Sequence, residues 1–450
     1  MEKSNHLRVG KARLSAAYVV AAGLLVMTVC FSAARAQTPL QFIHGAKFGL
    51  FVHYVFGLTD AAPGRPPLQN LKRFSDEIKV RTIVHMAQSM DAQYVIFTSY
   101  HWRMTTLFPS RVWGSAFPGH SSPRDIVGDL AKALAARGIK LVLYVHPDDR
   151  HDFTPAMLNR LVKLGWNSPS LVRNGHLVGF EPHDPLWNHL YYRMLNEIGR
   201  RYGQQIIGYF EDDNGAASNG ETVERIMNHY TPHAAIWVNG FVHHPPATVV
   251  GGENWKLLDH NPRPHIYNTS AAMTADVISD KWGVWWAGGG HVNYSAAQLY
   301  RFFICSIATS GQHNGGVAFA TGPYSDNRWE TGVPRALRSL GRIVRKNAVA
   351  IFNTRPSRAF VSGTAASAKP AWGVAVDSAD GHSVFLHVLM PPKGPVLRIG
   401  RPADGVAFRR AHLLGGGAVK IRKVGTGYVL TLPSGTAWSP LDTVIVLSVR

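Results

Sequence analysis

Carboxylates that directly follow two apolar segments are the residues of this sequence best suited to catalysis. The segment IIGYF ends in Glu211, Asp212 and Asp213, and the segment TVVGG ends in Glu253. Apolar segments of this length are typical of buried strands, and the C-terminal strand ends carry the chemistry of β/α barrels. Two carboxylates on one rim can cleave a glycosidic bond, because one attacks the anomeric carbon while the other protonates the departing oxygen.

Short apolar segments alternate with amphipathic ones from Lys47 onward. This alternation predicts strands of a parallel sheet that helices cover on both faces. The predicted strands are KFGLFVHY (47–54), AQYVIFTS (92–99), IKLVLYVH (139–146), QQIIGYFE (204–211) and AAIWVNG (234–240), and the predicted helices cover 123–138, 186–202, 222–230 and 299–308. The repetition over about three hundred residues favours an α/β fold of the β/α (TIM-like) barrel type, at 37–356, over an open sheet.

The residue pattern of the sequence changes after Pro356. Four β-rich segments, WGVAVDS, HSVFLHVLM, YVLTLP and TVIVLSVR, are separated by glycine and proline clusters, and no long helical pattern accompanies them. Such a pattern predicts a C-terminal all-β sandwich domain, which we place at 357–450.

The first 36 residues have the features of a secretory signal peptide. Basic residues precede an apolar segment at 16–34, and Ala34-Arg35-Ala36 offers small residues for cleavage. A membrane anchor is the alternative, but the apolar segment is short, so we expect export to the periplasm or the extracellular space. Cleavage would leave Cys305 as the single cysteine, and we expect it to be a buried structural thiol.

The formal net charge of +19 suggests affinity for polyanions, such as acidic polymers. The basic residues are scattered, however, and no nucleic-acid motif accompanies them, so a solvated basic surface is the favoured interpretation. The motif HPDDRHD (146–152) holds possible metal ligands without a regularly spaced partner set. No phosphate-binding loop, serine nucleophile elbow or dinucleotide fingerprint is present, and we therefore predict neither metal nor cofactor.

Several motifs resemble those of the α-L-fucosidases of glycoside hydrolase family 29. KFGLFVHY resembles the family's KFGIFIHWG, PRDIVGDLAKALAARGIKLVLYV resembles RDLVGELVDALRKRGLKFGLYY, and NGGVAFATGP resembles NGNLLLNIGP. The resemblance extends over nearly the whole sequence after residue 36. It implies a catalytic barrel followed by a β-sandwich, and a carbohydrate as the substrate.

The resemblance also implies the site residues. Glu211 stands at the nucleophile position that closes the family's W-F-D motif, with Asp212 as the alternative one residue later, and Glu253 stands where several members keep their acid/base. The sugar contacts expected at family positions are His53, His101, Trp102, Tyr144 and Asn239. Trp285 is expected from the sequence itself, because Trp285 and Trp286 precede a glycine cluster and can offer an aromatic face for a sugar to stack on. Trp102 replaces a family histidine, and Asn239-Gly240-Phe241 lacks the arginine of the family's N-D-R motif. Because a site that binds hydroxyls by hydrogen bonds discriminates strongly, these changes imply altered sugar specificity.

These observations predict an exported retaining exo-glycosidase that acts on terminal α-L-fucosidic or related bonds by double displacement. Retention requires carboxyl groups about 5 to 5.5 Å apart. A non-catalytic carbohydrate-binding relative is the alternative, as is adhesion to acidic polymers through the basic surface. No nucleic-acid partner and, after signal cleavage, no membrane contact are expected. The sequence gives no indication of the oligomeric state.

Overall fold

A computed structural model describes residues 37–449, with gaps at 58, 60–61, 69, 102–104, 148–152, 166–171, 174–175, 178–184, 213–218, 241, 243, 255–270, 277–286, 288–291, 293, 310–315 and 362–370. For 172–173, 176–177, 253–254, 271–276 and 309 it describes the main chain alone. The predicted signal peptide, Trp102 and Trp285 lie outside the described residues. So does the side chain of Glu253.

Eight parallel strands of the described chain close into a barrel. They are β1 (Phe48–Val52), β2 (Tyr94–Thr98), β3 (Lys140–Val145), β4 (Gly208–Glu211), β5 (Ala235–Val238), β6 (Val249–Asn254), β7 (Ala271–Asp276) and β8 (Gly316–Thr321). Neighbours in the barrel follow chain order, and β8 closes it by pairing with β1. The prediction of a barrel rather than an open sheet is confirmed.

The barrel strands are apolar on both faces because both faces are buried. Side chains alternate along each strand, so that Phe51 and Phe210 pack inside the barrel while Leu50 and Tyr209 pack outward against the helices. This explains why the strand segments read as continuous apolar runs in the sequence.

The described residues form ten α-helices. They are α1 (Pro39–Gly45), α2 (Leu71–Glu77), α3 (Val80–Ser89), α4 (Arg111–Ala116), α5 (Ile126–Ala135), α6 (Pro155–Lys163), α7 (Pro185–Tyr202), α8 (Gly220–Tyr230), α9 (Ala296–Thr309) and α10 (Val333–Lys346). Helix α5 begins three residues later than predicted, because Asp125 is its N-cap and accepts a hydrogen bond from the Gly128 amide at 2.8 Å. None of the helices in the described ranges is both long and apolar enough to cross a membrane.

The C-terminal region is an eight-stranded antiparallel sheet that folds over on itself. Its strands are β9 (Thr354–Pro356), β10 (Gly373–Ser378), β11 (Ser383–Val388), β12 (Val396–Ile399), β13 (Phe408–Leu413), β14 (Ala418–Val424), β15 (Gly427–Thr431) and β16 (Thr443–Val449). Leu386 and Ile445 from one half share a core with Leu397 and Leu430 from the other. The prediction of a β-sandwich is confirmed.

A buried polar network joins the barrel helices to the sandwich. Asp442 is 1% exposed at its side chain, and its Oδ2 accepts hydrogen bonds from the Tyr300 hydroxyl at 2.7 Å and from His387 Nδ1 at 2.7 Å. Asn347 donates to the same tyrosine hydroxyl at 2.6 Å. Helix α9, which carries Tyr300, also contains Cys305, buried as predicted.

We expect Asp442→Ala to lower the free energy of unfolding by about 2–4 kcal/mol, because it leaves two buried donors without their acceptor. Thermal or urea unfolding followed by circular dichroism would measure the loss. Lys420→Ala, on the exposed face of β14, is the control and should change the stability by less than about 0.5 kcal/mol. Equal stabilities of the two variants would show that the network does not hold the junction.

Candidate active site

Aromatic side chains form a floor inside the barrel just below its carboxyl-terminal rim. Tyr144 lies parallel to Phe210, with ring centroids 6.0 Å apart and 11° between the planes. Phe51 contacts Phe210 edge-on at 5.2 Å. Tyr94 and Trp237 also stack inside the barrel, with ring centroids 6.4 Å apart. These rings belong to one buried cluster inside the barrel.

Polar residues stand above this floor, each two positions beyond an inward-facing aromatic residue. His53 follows Phe51 in this way, and the other three are His146, Asp212 and Asn239. Because side chains alternate with a period of two, the same face of the strand that carries the floor also presents the polar residue at the rim. The alternation therefore gathers these four side chains at one end of the barrel.

Asp212 is the carboxylate at the centre of the rim. The Tyr144 hydroxyl donates a hydrogen bond to its Oδ2 at 2.5 Å, and Asn239 Nδ2 donates to its Oδ1 at 2.7 Å. Its amide donates to the Val145 carbonyl at 3.1 Å, which fixes the main chain. Burial raises the pKa of Asp212, but the charges of His146 and His101 and the two hydrogen bonds outweigh burial and lower it below its ordinary value.

Three imidazoles surround Asp212 and Tyr144. The His101 ring stacks on Tyr144 at 5.0 Å and lies 5.1 Å from the His146 ring and 6.2 Å from the His53 ring. Burial, followed by the charge of His101, lowers the pKa of His53 to about 3, although Asp212 opposes the shift. His53 is therefore neutral at pH 7, and one ring nitrogen can donate to a ligand hydroxyl while the other accepts.

Glu211 lies on the opposite face of the same strand end. Its side chain is fully buried, and Oε1 accepts a hydrogen bond at 2.8 Å from the hydroxyl of Tyr191 on helix α7, outside the barrel. Burial raises the pKa of Glu211 to about 7, against the lowering effect of the Tyr191 hydrogen bond. The Glu211 carboxylate therefore faces helix α7 and not the inside of the barrel.

The rim brings together four of the predicted sugar contacts and one of the predicted catalytic carboxylates. His53, His101, Tyr144 and Asn239 all contact or neighbour Asp212. Glu253 is the fifth of the six residues of β6, and its main chain pairs with Thr274 of β7. Glu253 therefore lies at the carboxyl end of its strand, as predicted.

His146 is the site residue that the sequence interpretation did not include among the contacts. It is 1% exposed, and its main-chain carbonyl accepts a hydrogen bond from the Tyr100 hydroxyl at 2.7 Å. The pattern Tyr144-x-His146 at the end of a predicted strand was the available signal, because residues two apart share a face. One ligand atom each of His101, His146 and Asp212 lies within 4.8 Å of the others, so these residues could hold a metal ion.

Several solved structures similar to this one are α-L-fucosidases. Over 91% of this chain and 94% of the other, it superposes on the family 29 enzyme of Bacteroides thetaiotaomicron with a TM-score of 0.66 and 15% identity. Isoenzyme 1 of Paenibacillus thiaminolyticus gives 0.63 and 17%, covering 92% and 99% of the two chains. The Thermotoga maritima enzyme, solved with fucose, gives 0.61 and 16%, covering 92% and 98%.

Sequence comparison gives the more specific result. No curated protein matches the sequence. The sequence profile described as Alpha-L-fucosidase matches residues 75–348, which span helices and strands from α2 to α10, including β2 to β8 of the barrel, with His101, Asp212 and Glu253. The matched segment is more than half of the chain and carries most of the candidate site, and the protein therefore belongs to the α-L-fucosidase family of glycoside hydrolases.

Proposed function

We propose that the protein hydrolyses terminal α-L-fucosidic bonds, or bonds of a closely related sugar, with retention of configuration. The observation that carries the proposal is the position of Asp212. Its carboxylate stands above the aromatic floor and is oriented by hydrogen bonds from Tyr144 and Asn239. An anionic, oriented carboxylate at the C-terminal rim of a barrel is the group that attack on an anomeric carbon requires.

In this proposal Asp212 is the nucleophile and Glu253 the acid/base. In the first step an Asp212 oxygen forms a bond to the anomeric carbon while the bond to the leaving oxygen breaks, and Glu253 gives that oxygen its proton. In the second step the Glu253 carboxylate removes a proton from water, which attacks the same carbon and releases Asp212. The enzyme of Bacteroides thetaiotaomicron, which has the same fold, has been trapped as a covalent intermediate with 2-fluoro-fucosyl fluoride.

The assignment of Asp212 also agrees with the family motif when the match is moved by one residue. Phe210-Glu211-Asp212 then stands in place of W-F-D, with the aspartate at its end. With the match shifted by one residue, the nucleophile is an aspartate as in the family motif, and no glutamate, with its longer side chain, has to take its place. The shift also puts the nucleophile on the inward-facing side of β4, the side that Phe210 occupies.

The sugar would lie on the aromatic floor among the histidines. His53 and His101 are proposed to contact its hydroxyls, and Trp102 and Trp285 to form further walls of the pocket. An apolar floor suits the 6-methyl group and the apolar face of a deoxy sugar, whereas the imidazoles suit its hydroxyls. The absence of the family arginine after Asn239 in the sequence supports a specificity that differs in part from that of other members.

We expect Asp212→Asn to lower kcat/KM on aryl α-L-fucosides by at least about 10⁴-fold, because removal of a nucleophile abolishes the covalent pathway. Glu211→Gln is the matched control at the neighbouring position and should change it by less than about tenfold, since its carboxylate contacts Tyr191 outside the barrel. Initial rates on fucosides and α-L-galactosides would decide. An inactive Glu211→Gln with an active Asp212→Asn would restore Glu211 as the nucleophile, and binding without turnover by the wild type would support a non-catalytic relative.

Replacement of Glu253 by Ala should slow the hydrolysis of fucosides with poor leaving groups far more than the hydrolysis of aryl fucosides with good leaving groups. Activated leaving groups depart without a proton, so only hydrolysis of the intermediate then needs the missing base. Azide should restore turnover, because it attacks without general-base help, and a fucosyl azide should appear by mass spectrometry. Equal losses on both substrate types, with no azide effect, would rule out Glu253 as the acid/base.

We also propose that the protein is exported by means of residues 1–36. The basic residues, the apolar segment and the small residues before Gln37 support cleavage at that point. Mass spectrometry of the protein recovered from an expressing Gram-negative cell should give a chain that begins at Gln37, in the periplasmic fraction or the medium. A full-length chain retained in the membrane fraction would favour an anchor instead.

A further inference from the structure

We infer that His101, His146 and Asp212 form a binding site for a divalent transition-metal ion, for which Zn²⁺ is the best fit. Each residue offers one ligand atom, and these three atoms all lie within 4.8 Å of one another. The ligands come from consecutive parts of the barrel rim: His101 from the short strand Tyr100–His101 after β2, His146 from the end of β3, and Asp212 from the end of β4.

The spacing is close to that of a zinc site. Zinc bonds of about 2.0–2.1 Å to nitrogen and oxygen in a tetrahedron place neighbouring ligand atoms about 3.3 Å apart. The ligand atoms therefore need to approach one another by at most about 1.5 Å, which is within the range of small side-chain rotations. The main chain next to two of the ligands is fixed, because the Tyr100 hydroxyl donates to the His146 carbonyl and the Asp212 amide donates to the Val145 carbonyl. The approach is therefore expected from side-chain rotation.

The chemistry of the ligand set selects the metal. Two imidazole nitrogens and one carboxylate oxygen favour Zn²⁺ and its neighbours in the first transition row, whereas Mg²⁺ and Ca²⁺ favour sets of oxygen ligands. A carboxylate oxygen has two lone pairs, so Asp212 can bind an ion and still accept hydrogen bonds from Tyr144 and Asn239. Such outer partners orient a metal ligand and strengthen its binding.

The three ligands of this site lie far apart in the sequence, so the sequence alone does not indicate that they meet. His146 opens the motif HPDDRHD, which alone lacks a partner set. Its partners lie 45 residues earlier and 66 residues later, just beyond the ends of the two barrel strands that neighbour β3. Under the proposed function, an ion on Asp212 excludes the anomeric carbon from the nucleophile. The ion would therefore act as an inhibitor that competes with the sugar, and not as a catalytic cofactor.

Isothermal titration of the purified, metal-free protein with ZnCl₂ tests the metal site without reference to activity. We expect one Zn²⁺ per chain, and affinity weaker by at least about tenfold in His146→Gln and in His101→Gln. MgCl₂ at the same concentrations should give no saturable binding. His412→Gln, which removes an exposed histidine of the sandwich, is the control and should bind Zn²⁺ as the wild type does.

Circular dichroism of each variant would establish that it is folded before its affinity is compared. Zinc binding that is equal in wild type and in both folded site variants, or no saturable binding by the wild type, would overturn the inference. Competition has its own test: Zn²⁺ should raise KM for an aryl fucoside without lowering kcat, and EDTA should reverse the effect. If the protein binds one Zn²⁺ through these residues but hydrolyses no fucoside, the metal site stands and the proposed function fails.

Discussion

The alternation of side chains along closed, parallel strands is the constraint on which the rest of this molecule depends. Closure pairs every barrel strand on both sides, so no strand can slip by one residue without turning its inner face outward. The inner face carries aromatic rings below the rim and polar groups at it. Asp212 and Glu211 are neighbours in the chain, yet alternation sends one to the pocket and the other to helix α7.

The sequence predicted the fold well because burial on both faces leaves a strong signal. Each of the five predicted strand segments contains a barrel strand, and helix α7 begins within one residue of its prediction. Boundaries were less accurate where capping decides them. Helix α5 starts where the Asp125 side chain accepts a hydrogen bond from the Gly128 amide. Hydrophobic periodicity does not reveal such a local contact.

The membership of the candidate site could be predicted in part, for reasons that are equally physical. The sequence pointed to His53, His101, Tyr144 and Asn239 because strand ends and family motifs mark them, and the structure gathers them around Asp212. Their contacts with a sugar stay predictions. The choice between Glu211 and Asp212 depends on which face of β4 is inward, and an apolar run gives no indication of its faces. His146 needed knowledge of which strands are neighbours, since its contacts with His101 and Asp212 join segments far apart in the chain.

The aromatic floor has a consequence for how such a protein can diverge. Phe51, Tyr144 and Phe210 pack against one another below the rim, so much of the barrel's internal cohesion does not depend on which polar residues stand above. The polar residues above the floor can therefore change while the floor continues to hold the strands in place. The substrate of such an enzyme can thus change during evolution through substitutions among the polar residues of the rim alone. Chains with about 15% identity can therefore retain one architecture over nine-tenths of their length.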